Sequence, residues 1–173
     1  MKDGCTDALC RQCFARIRDG DRSAVDELYD AAGTALYRFA RSYCRNDAAA
    51  EDVVQDTMIR AVQYAADHRD VGGKTWLFTI ARNRCIDLLR AQRTEPDAEE
   101  SAVETDFSPV EVRDALARLT ESEQQVIRLR IFAGLTVRET ASMLHLSYGK
   151  VRYIARCAIQ KLRIYYAESE GLR

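Results

Sequence analysis

The chain has 173 residues, 31% of them charged and 47% hydrophobic, with two prolines, eight glycines and a formal net charge of −1. No apolar run approaches the roughly 18 residues that span a bilayer. The opening MKDGCTDALC has no apolar signal-peptide core. Membrane insertion is therefore excluded as an expectation, and the cytoplasm is the expected location.

Strand-like alternation is rare and long stretches follow the 3.6-residue apolar period, which predicts an all-α fold. The first predicted helix runs from about Thr6 to Arg18 and ends at Asp19-Gly20. A second starts near Ser23 as N-cap and places Val25, Leu28, Tyr29, Leu36, Phe39, Ala40 and Tyr43 inward. Asn46-Asp47 breaks that pattern and can cap a third helix, AAAEDVVQDTMIRAVQYAAD. Glu51, Asp52 and Asp56 lie in its first turns, where carboxylates suit the helix dipole, and Val54, Met58, Ala61, Val62 and Ala65 form its core stripe. Val71-Gly72-Gly73 is a turn before a fourth helix, TWLFTIARNRCIDLLR.

Residues 94–111, TEPDAEESAVETDFSPVE, carry seven acids, no base and both prolines, the composition of a flexible linker. They separate two helical domains, residues 1–93 with net charge +1 and residues 112–173 with +5. The basic C-terminal block points to a polyanionic partner. A helix starts at Ser108-Pro109, with Val112, Leu116 and Leu119 as its stripe. Thr120 to Glu123 is a capping box before VIRLRIFA, and Gly134 is a C-cap. A second box, Thr136 to Glu139, opens a short helix through Leu144; His145-Leu146-Ser147 turns, and a last helix runs to about Ala167.

A short helix, a three-residue turn and a longer helix form the pattern of a helix-turn-helix. Ala141 fits the crossing, and Val151, Ala155, Ala158 and Leu162 form the buried stripe of the last helix. Its open face carries Tyr148, Gly149, Arg152, Arg156 and Arg163, and arginine forks onto guanine or phosphate. In the fourth helix Leu77, Ala81, Cys85 and Leu88 read as core. At about 100° per residue, Trp76, Ile80, Asn83, Asp87 and Arg90 form a second strip. An aromatic can stack on an unpaired base, and Arg82, Arg84 and Arg90 can hold phosphates. The bland alternative makes Trp76 core and Asp87–Arg90 a surface ion pair.

Cys5, Cys10 and Cys13 resemble part of a metal or redox cluster, but a tetrahedral zinc site needs four ligands and the two histidines, His68 and His145, are remote. Ordinary helix positions are the favoured reading, with a redox or metal sensor as the alternative. No phosphate-binding glycine loop, metal cluster or nucleophile–base pair appears, so neither enzymatic chemistry nor a cofactor is expected.

The run DAAAEDVVQDTMIRA, then TWLFTIARNRCIDLLR, the acidic linker and LTVRETASMLHLSYGKVRYIA together resemble an extracytoplasmic-function (ECF) sigma factor of the sigma-70 family. The resemblance covers residues from about 20 to 165. It leaves out the N-terminal extension, 1–20, with its three cysteines. It implies partners: core RNA polymerase, through the β′ clamp helices and the β subunit, promoter DNA, and an anti-sigma factor. It implies polymerase contacts at Asp52, Gln55, Asp56, Met58 and Arg60. It implies a promoter-opening face that holds the −10 element, with Lys74, Trp76, Arg82, Asn83, Arg84, Asp87 and Arg90. It implies −35 recognition by Thr136, Tyr148, Gly149, Lys150, Arg152, Tyr153 and Arg156. The chain departs from the family pattern at His145, Lys150, Ile154, Cys157 and Ile159, and Tyr148 and Tyr153 are unusual in such a helix. A conventional helix-turn-helix regulator with a sensory N-terminal domain is the rival reading, and EDVVQD followed by the Trp-Asn-Asp helix speaks against it.

Overall fold

The computed structural model describes residues 5–44, 46–67, 73–92 and 109–170. His68, Val71-Gly72 and most of the predicted linker lie outside them. The described residues are helical, with no strand. The chain divides into two units, Met1–Ser101 and Ala102–Arg173.

Four helices build the first unit: α1 (Asp7–Arg18), α2 (Ser23–Arg41), α3 (Asp47–Asp67) and α4 (Lys74–Gln92). Helix α1 starts at Thr6, whose side chain accepts the Leu9 N–H at 3.2 Å, and ends before Gly20, which takes the left-handed φ of 90°. The N-cap of α2 is Arg22 rather than Ser23, and the Asp21 carboxylate before it accepts the Ser23 N–H at 2.9 Å. Arg16 ties α1 to α2 through Asp21 at 2.8 Å, Glu27, and the Ser23 hydroxyl at 3.1 Å. Asn46 caps α3 by accepting the Ala49 N–H at 2.8 Å. Arg41 and the Tyr37 hydroxyl both reach Asp47, at 2.6 and 2.9 Å, and fix the α2–α3 corner.

The core of this unit joins all four helices. Phe14, Leu28, Leu36, Phe39, Val53, Leu77 and Phe78 are fully buried, each worth about 1.5–3 kcal/mol of apolar transfer. Phe39 meets the edge of Phe78 at 5.5 Å. Helix α4 is wedged among α1, α2 and α3, so it buries Phe78 as well as the predicted Leu77, Ala81 and Cys85; Leu88 is only half-buried. Tyr29, expected inside, stands 53% exposed, and Val25 and Val62 are half-buried.

The second unit holds α5 (Pro109–Ala117), α6 (Glu121–Ile127), α7 (Val137–Leu144) and α8 (Tyr148–Glu170). Helix α6 continues into a π-helical turn, Arg128–Phe132, that ends at Gly134 with φ 62°. One apolar cluster joins Leu116, Leu119, Ile127 and Ala158. A second joins Val126, Ala141, Val151 and Ile154, with Leu144 and Leu146 packed against it. Ala141 thus sits at the α7–α8 crossing. The stripe of α8 differs from the expected one: Ile154 is core, while Ala155 and Leu162 are half-buried.

Both capping boxes form, Thr120 with Glu123 and Thr136 with Glu139. Glu123 does more than cap. It is buried and accepts the Lys161 ammonium at 2.8 Å, which joins α6 to α8. Burial alone would raise its pKa; Lys161 and Thr120 outweigh burial and hold it below the ordinary 4.5. A depressed carboxyl contributes stability above its unfolded pKa and loses it as pH falls through the folded one. Urea melts of the second unit should therefore weaken below about pH 4.5, and Glu123→Gln, costing about 1 kcal/mol at neutral pH, should flatten that slope.

His145 closes α7 in the left-handed region, φ 53° and ψ 40°. Its amide and that of Leu146 close the helix on Ala141 and Ser142. A residue with a Cβ is strained in this region and glycine is not. His145→Gly is expected to raise stability by about 0.5–1 kcal/mol, read as a higher urea midpoint at unchanged slope.

Candidate polymerase and nucleic-acid interfaces

The segment expected to meet polymerase lies on α3. Asp52 and Gln55 are exposed, one turn apart on the same face. Beside them Tyr29, Asp30, Thr34 and Tyr37 of α2 line a shallow groove with Glu51, Val54 and Gln55. Tyr29, on its rim, has no local sequence signal beyond being an aromatic in an amphipathic helix. Met58 must be corrected: it is 7% exposed and belongs to the core, where its place one turn after Val54 puts it. Asp56 points the other way and pairs with Arg84 of α4 at 2.6 Å.

A second groove of about 410 Å³ runs between α3 and α4. Arg60, Gln63 and Tyr64 form one wall; Trp76, Ile80, Asn83, Arg84 and Asp87 form the other. Arg60 therefore faces this groove rather than the Asp52 face. Trp76 is half-buried. It packs against the edge of Phe14 from α1, with ring centroids 5.0 Å apart at 83°, and against Tyr64 at 5.8 Å. Packing and an open aromatic face thus coexist in one side chain. Asn83 is exposed, and Asp87 and Arg90 are exposed partners at 3.8 Å. Arg82 is half-buried and does not line the groove. Gln63 and Tyr64 are groove residues that sequence reasoning missed, because they sit two and three residues beyond the recognised run that ends at Ala61.

Lys74 is a second correction. It is 5% exposed, and its ammonium lies 5.9 Å from the Phe78 ring centre, so it is part of the core and not of the groove's open surface. Its backbone N–H donates to the Asp7 carboxylate at 2.8 Å, so α1 caps the start of α4. The Arg11 guanidinium and that N–H hold the Asp7 carboxyl below its usual range, against the opposing effect of burial. A Cβ on Gly73 would meet the same carboxylate at 2.5 Å, and its φ is 91°. Glycine is required there on both counts.

In the second unit Tyr148, Gly149, Lys150, Arg152, Tyr153 and Arg156 all lie on the exposed face of α8. Ser147 caps the helix by accepting the Lys150 N–H at 3.2 Å. The Arg152 guanidinium lies 5.9 Å from the Tyr148 ring, and Arg156 lies 5.9 Å from Tyr153. Each tyrosine therefore orients an arginine, an arrangement worth about 0.5–1 kcal/mol at an exposed site. A Cβ on Gly149 would meet nothing within 4 Å, so nothing in the unit's own packing demands glycine. Thr136 is the exposed N-cap of α7, and its oxygen accepts the Glu139 N–H at 3.2 Å. Alongside, Arg130, Ile131, Ile159 and Arg163 extend the surface as the lining of a groove.

Two separate surfaces are now defined, an aromatic groove in one unit and a basic helix-turn-helix in the other. Residues 28–95 match the family model Sigma-70 region 2, and residues 115–163 match Sigma-70, region 4. The chain is 32% identical over 151 residues to ECF RNA polymerase sigma factor SigL of Mycobacterium tuberculosis, covering 79% of this chain and 85% of SigL. It belongs to the ECF sigma factors of the sigma-70 family. ECF RNA polymerase sigma factor BldN of Streptomyces coelicolor is 30% identical over 174 residues, 90% of this chain and 65% of BldN. Among solved structures, CnrH in complex with the cytosolic domain of CnrY aligns at TM-score 0.74 and 29% identity, covering 92% of this chain and 98% of that one. The sigma factor RpoE in complex with the anti-sigma factor NepR, from Bartonella quintana, aligns at 0.60 and 25% identity, covering 80% and 92%. Such sigma factors are transcription initiation factors, not enzymes. Helix α1 precedes the region 2 match, yet it supplies Phe14 under Trp76 and Asp7 at the start of α4.

No helix among the described residues is long and apolar enough to cross a membrane. No cluster of three or more His, Cys, Asp or Glu among them could hold a metal ion.

Proposed function

We propose that this ECF sigma factor binds core RNA polymerase through the exposed Asp52–Gln55 face of α3, in the cytoplasm. It directs initiation at promoters with −35 and −10 elements. The groove between α3 and α4 takes bases of the opened −10 strand, with Trp76 and Tyr64 offering stacking surfaces and Asn83 an amide for base edges. Arg84 and Arg90 lie on the same helix to hold phosphates. Helix α8 enters the major groove of the −35 duplex with Tyr148, Arg152, Tyr153 and Arg156 outward, and Gly149 lets the DNA approach closely. Lys150 takes a flanking phosphate. An anti-sigma factor covers these faces when the factor is idle, a reading supported by the RpoE–NepR likeness. The observation that carries the proposal is the half-buried Trp76, fixed on one side by Phe14 and open on the other to a groove lined by Asn83 and Asp87.

Run-off transcription with purified core polymerase tests it. The chain should bind core and direct initiation from a matched promoter; absence of both ends the proposal. Asp52→Ala combined with Gln55→Ala should raise the Kd for core about tenfold or more with an unchanged circular dichroism spectrum, since a few exposed contacts carry most interface energy. Unchanged core affinity would move the interface elsewhere.

A further inference from the structure

Two thiols meet at the start of α1. The sulfurs of Cys5 and Cys10 lie 3.3 Å apart in a hydrogen bond, and both side chains are buried. A disulfide needs about 2.05 Å, so the pair must close by little more than an ångström. Cys5 precedes the N-cap Thr6 and stands outside the helix.

Both thiols are buried, which disfavours ionisation, and nearby positive charge opposes that in part. Cys5 lies just ahead of the N-terminus of α1, the positive end of the helix dipole. The buried ammonium of Lys74 lies close enough to act on Cys10. The hydrogen bond to Cys5, with burial, raises the pKa of Cys10, so Cys10 keeps its proton. Cys13, one turn on, is also buried, and burial pushes its thiol up too. All three lie outside the segment that matches the family model.

We propose that Cys5 and Cys10 are a redox-active pair, a modification site that a small hydroperoxide converts to an intramolecular disulfide and a dithiol restores. The Cys5 thiolate attacks the peroxide oxygen, the O–O bond breaks, and a sulfenic acid forms as alcohol or water leaves. The Cys10 sulfur then attacks the sulfenic sulfur. The S–S bond forms, the S–O bond breaks, and hydroxide departs as water with the Cys10 proton. Two thiols lose two electrons and two protons; the peroxide bond takes up both. The site adjoins Asp7, which caps Lys74, and shares α1 with Phe14, which supports Trp76. Its oxidation state therefore bears on the start of the helix that lines the aromatic groove.

The test uses the full chain carrying Cys157→Ser, since Cys157 is the one cysteine that is not buried. The folded protein is treated with hydrogen peroxide, denatured, alkylated and mapped by mass spectrometry. The expected product has two fewer alkylated thiols and a Cys5–Cys10 linked peptide, both reversed by dithiothreitol. Cys13→Ser should keep the bridge, and Cys5→Ala should lose it while retaining the helical circular dichroism. The mapping on the parent chain stands even where a variant fails to fold. A bridge through Cys13, an irreversible sulfinic acid, or full alkylation of every remaining cysteine after treatment overturns the assignment.

Discussion

Phe14→Ala is expected to cost the first unit about 3–5 kcal/mol and to impair promoter opening, although residue 14 lies outside the segment that matches sigma region 2. Phe14 is fully buried, and its ring meets Trp76 edge-on at 5.0 Å. Truncation leaves a cavity under the indole. The indole can then fall inward and withdraw its face from the groove. Such an aromatic pair is worth about 0.5–1.5 kcal/mol beyond its area, so the loss is directional as well as apolar. Urea unfolding of the full chain gives the stability cost, and permanganate reactivity of unpaired thymines in the promoter gives the opening defect. Phe14→Leu separates the two, because it keeps most of the apolar volume, costs less than truncation to alanine and leaves a folded protein to assay. Normal opening by a destabilised Phe14→Ala protein would detach Trp76 from α1.

Arg152→Ala is expected to remove about 1–3 kcal/mol of discrimination at one position of the −35 element while sparing core binding. The residue is exposed, it packs over Tyr148, and its loss leaves the apolar clusters of the second unit untouched. Lysine is no substitute, since it lacks the planar fork that reads a guanine edge. A panel of −35 variants in run-off transcription would show preference flattening at one base pair. Preference that survives the substitution intact would strike Arg152 from the recognition surface.

The residues where expectation and structure part share a cause. Local period was enough for the helices, the two capping boxes, the Asn46 cap and the place of Ala141, because each depends on residues within a turn or two of one another. Lys74 was out of reach of that logic: it is buried by α1, through a hydrogen bond that spans 67 positions. Phe78 was missed because period reveals one stripe, whereas α4 is covered on more than one side. Ile154 looked like a lost basic residue of the recognition helix, and is instead the floor of the α7–α8 contact. Met58 carried two readings, core stripe and polymerase contact, and the stripe prevailed. The π-helical turn at Arg128–Phe132 has no local signature, since widening one turn alters register and not composition.

The caps of the second unit have a bearing on salt. Helix N-termini often bind phosphate directly through free amides and a favourable dipole. Here α6 and α7 each close their first turn on their own glutamate, Glu123 and Glu139, which places a fixed negative charge where a phosphate would otherwise sit. The N-cap amide and the third helical amide at each of those two ends are thereby committed to the fold. On the proposed reading, attraction to the DNA backbone falls to side-chain cations such as Arg152, Arg156 and Lys150, and cations of that kind act by displacing condensed counterions from the duplex. Affinity of the unit for DNA thus becomes a steep function of ionic strength, while its shape does not.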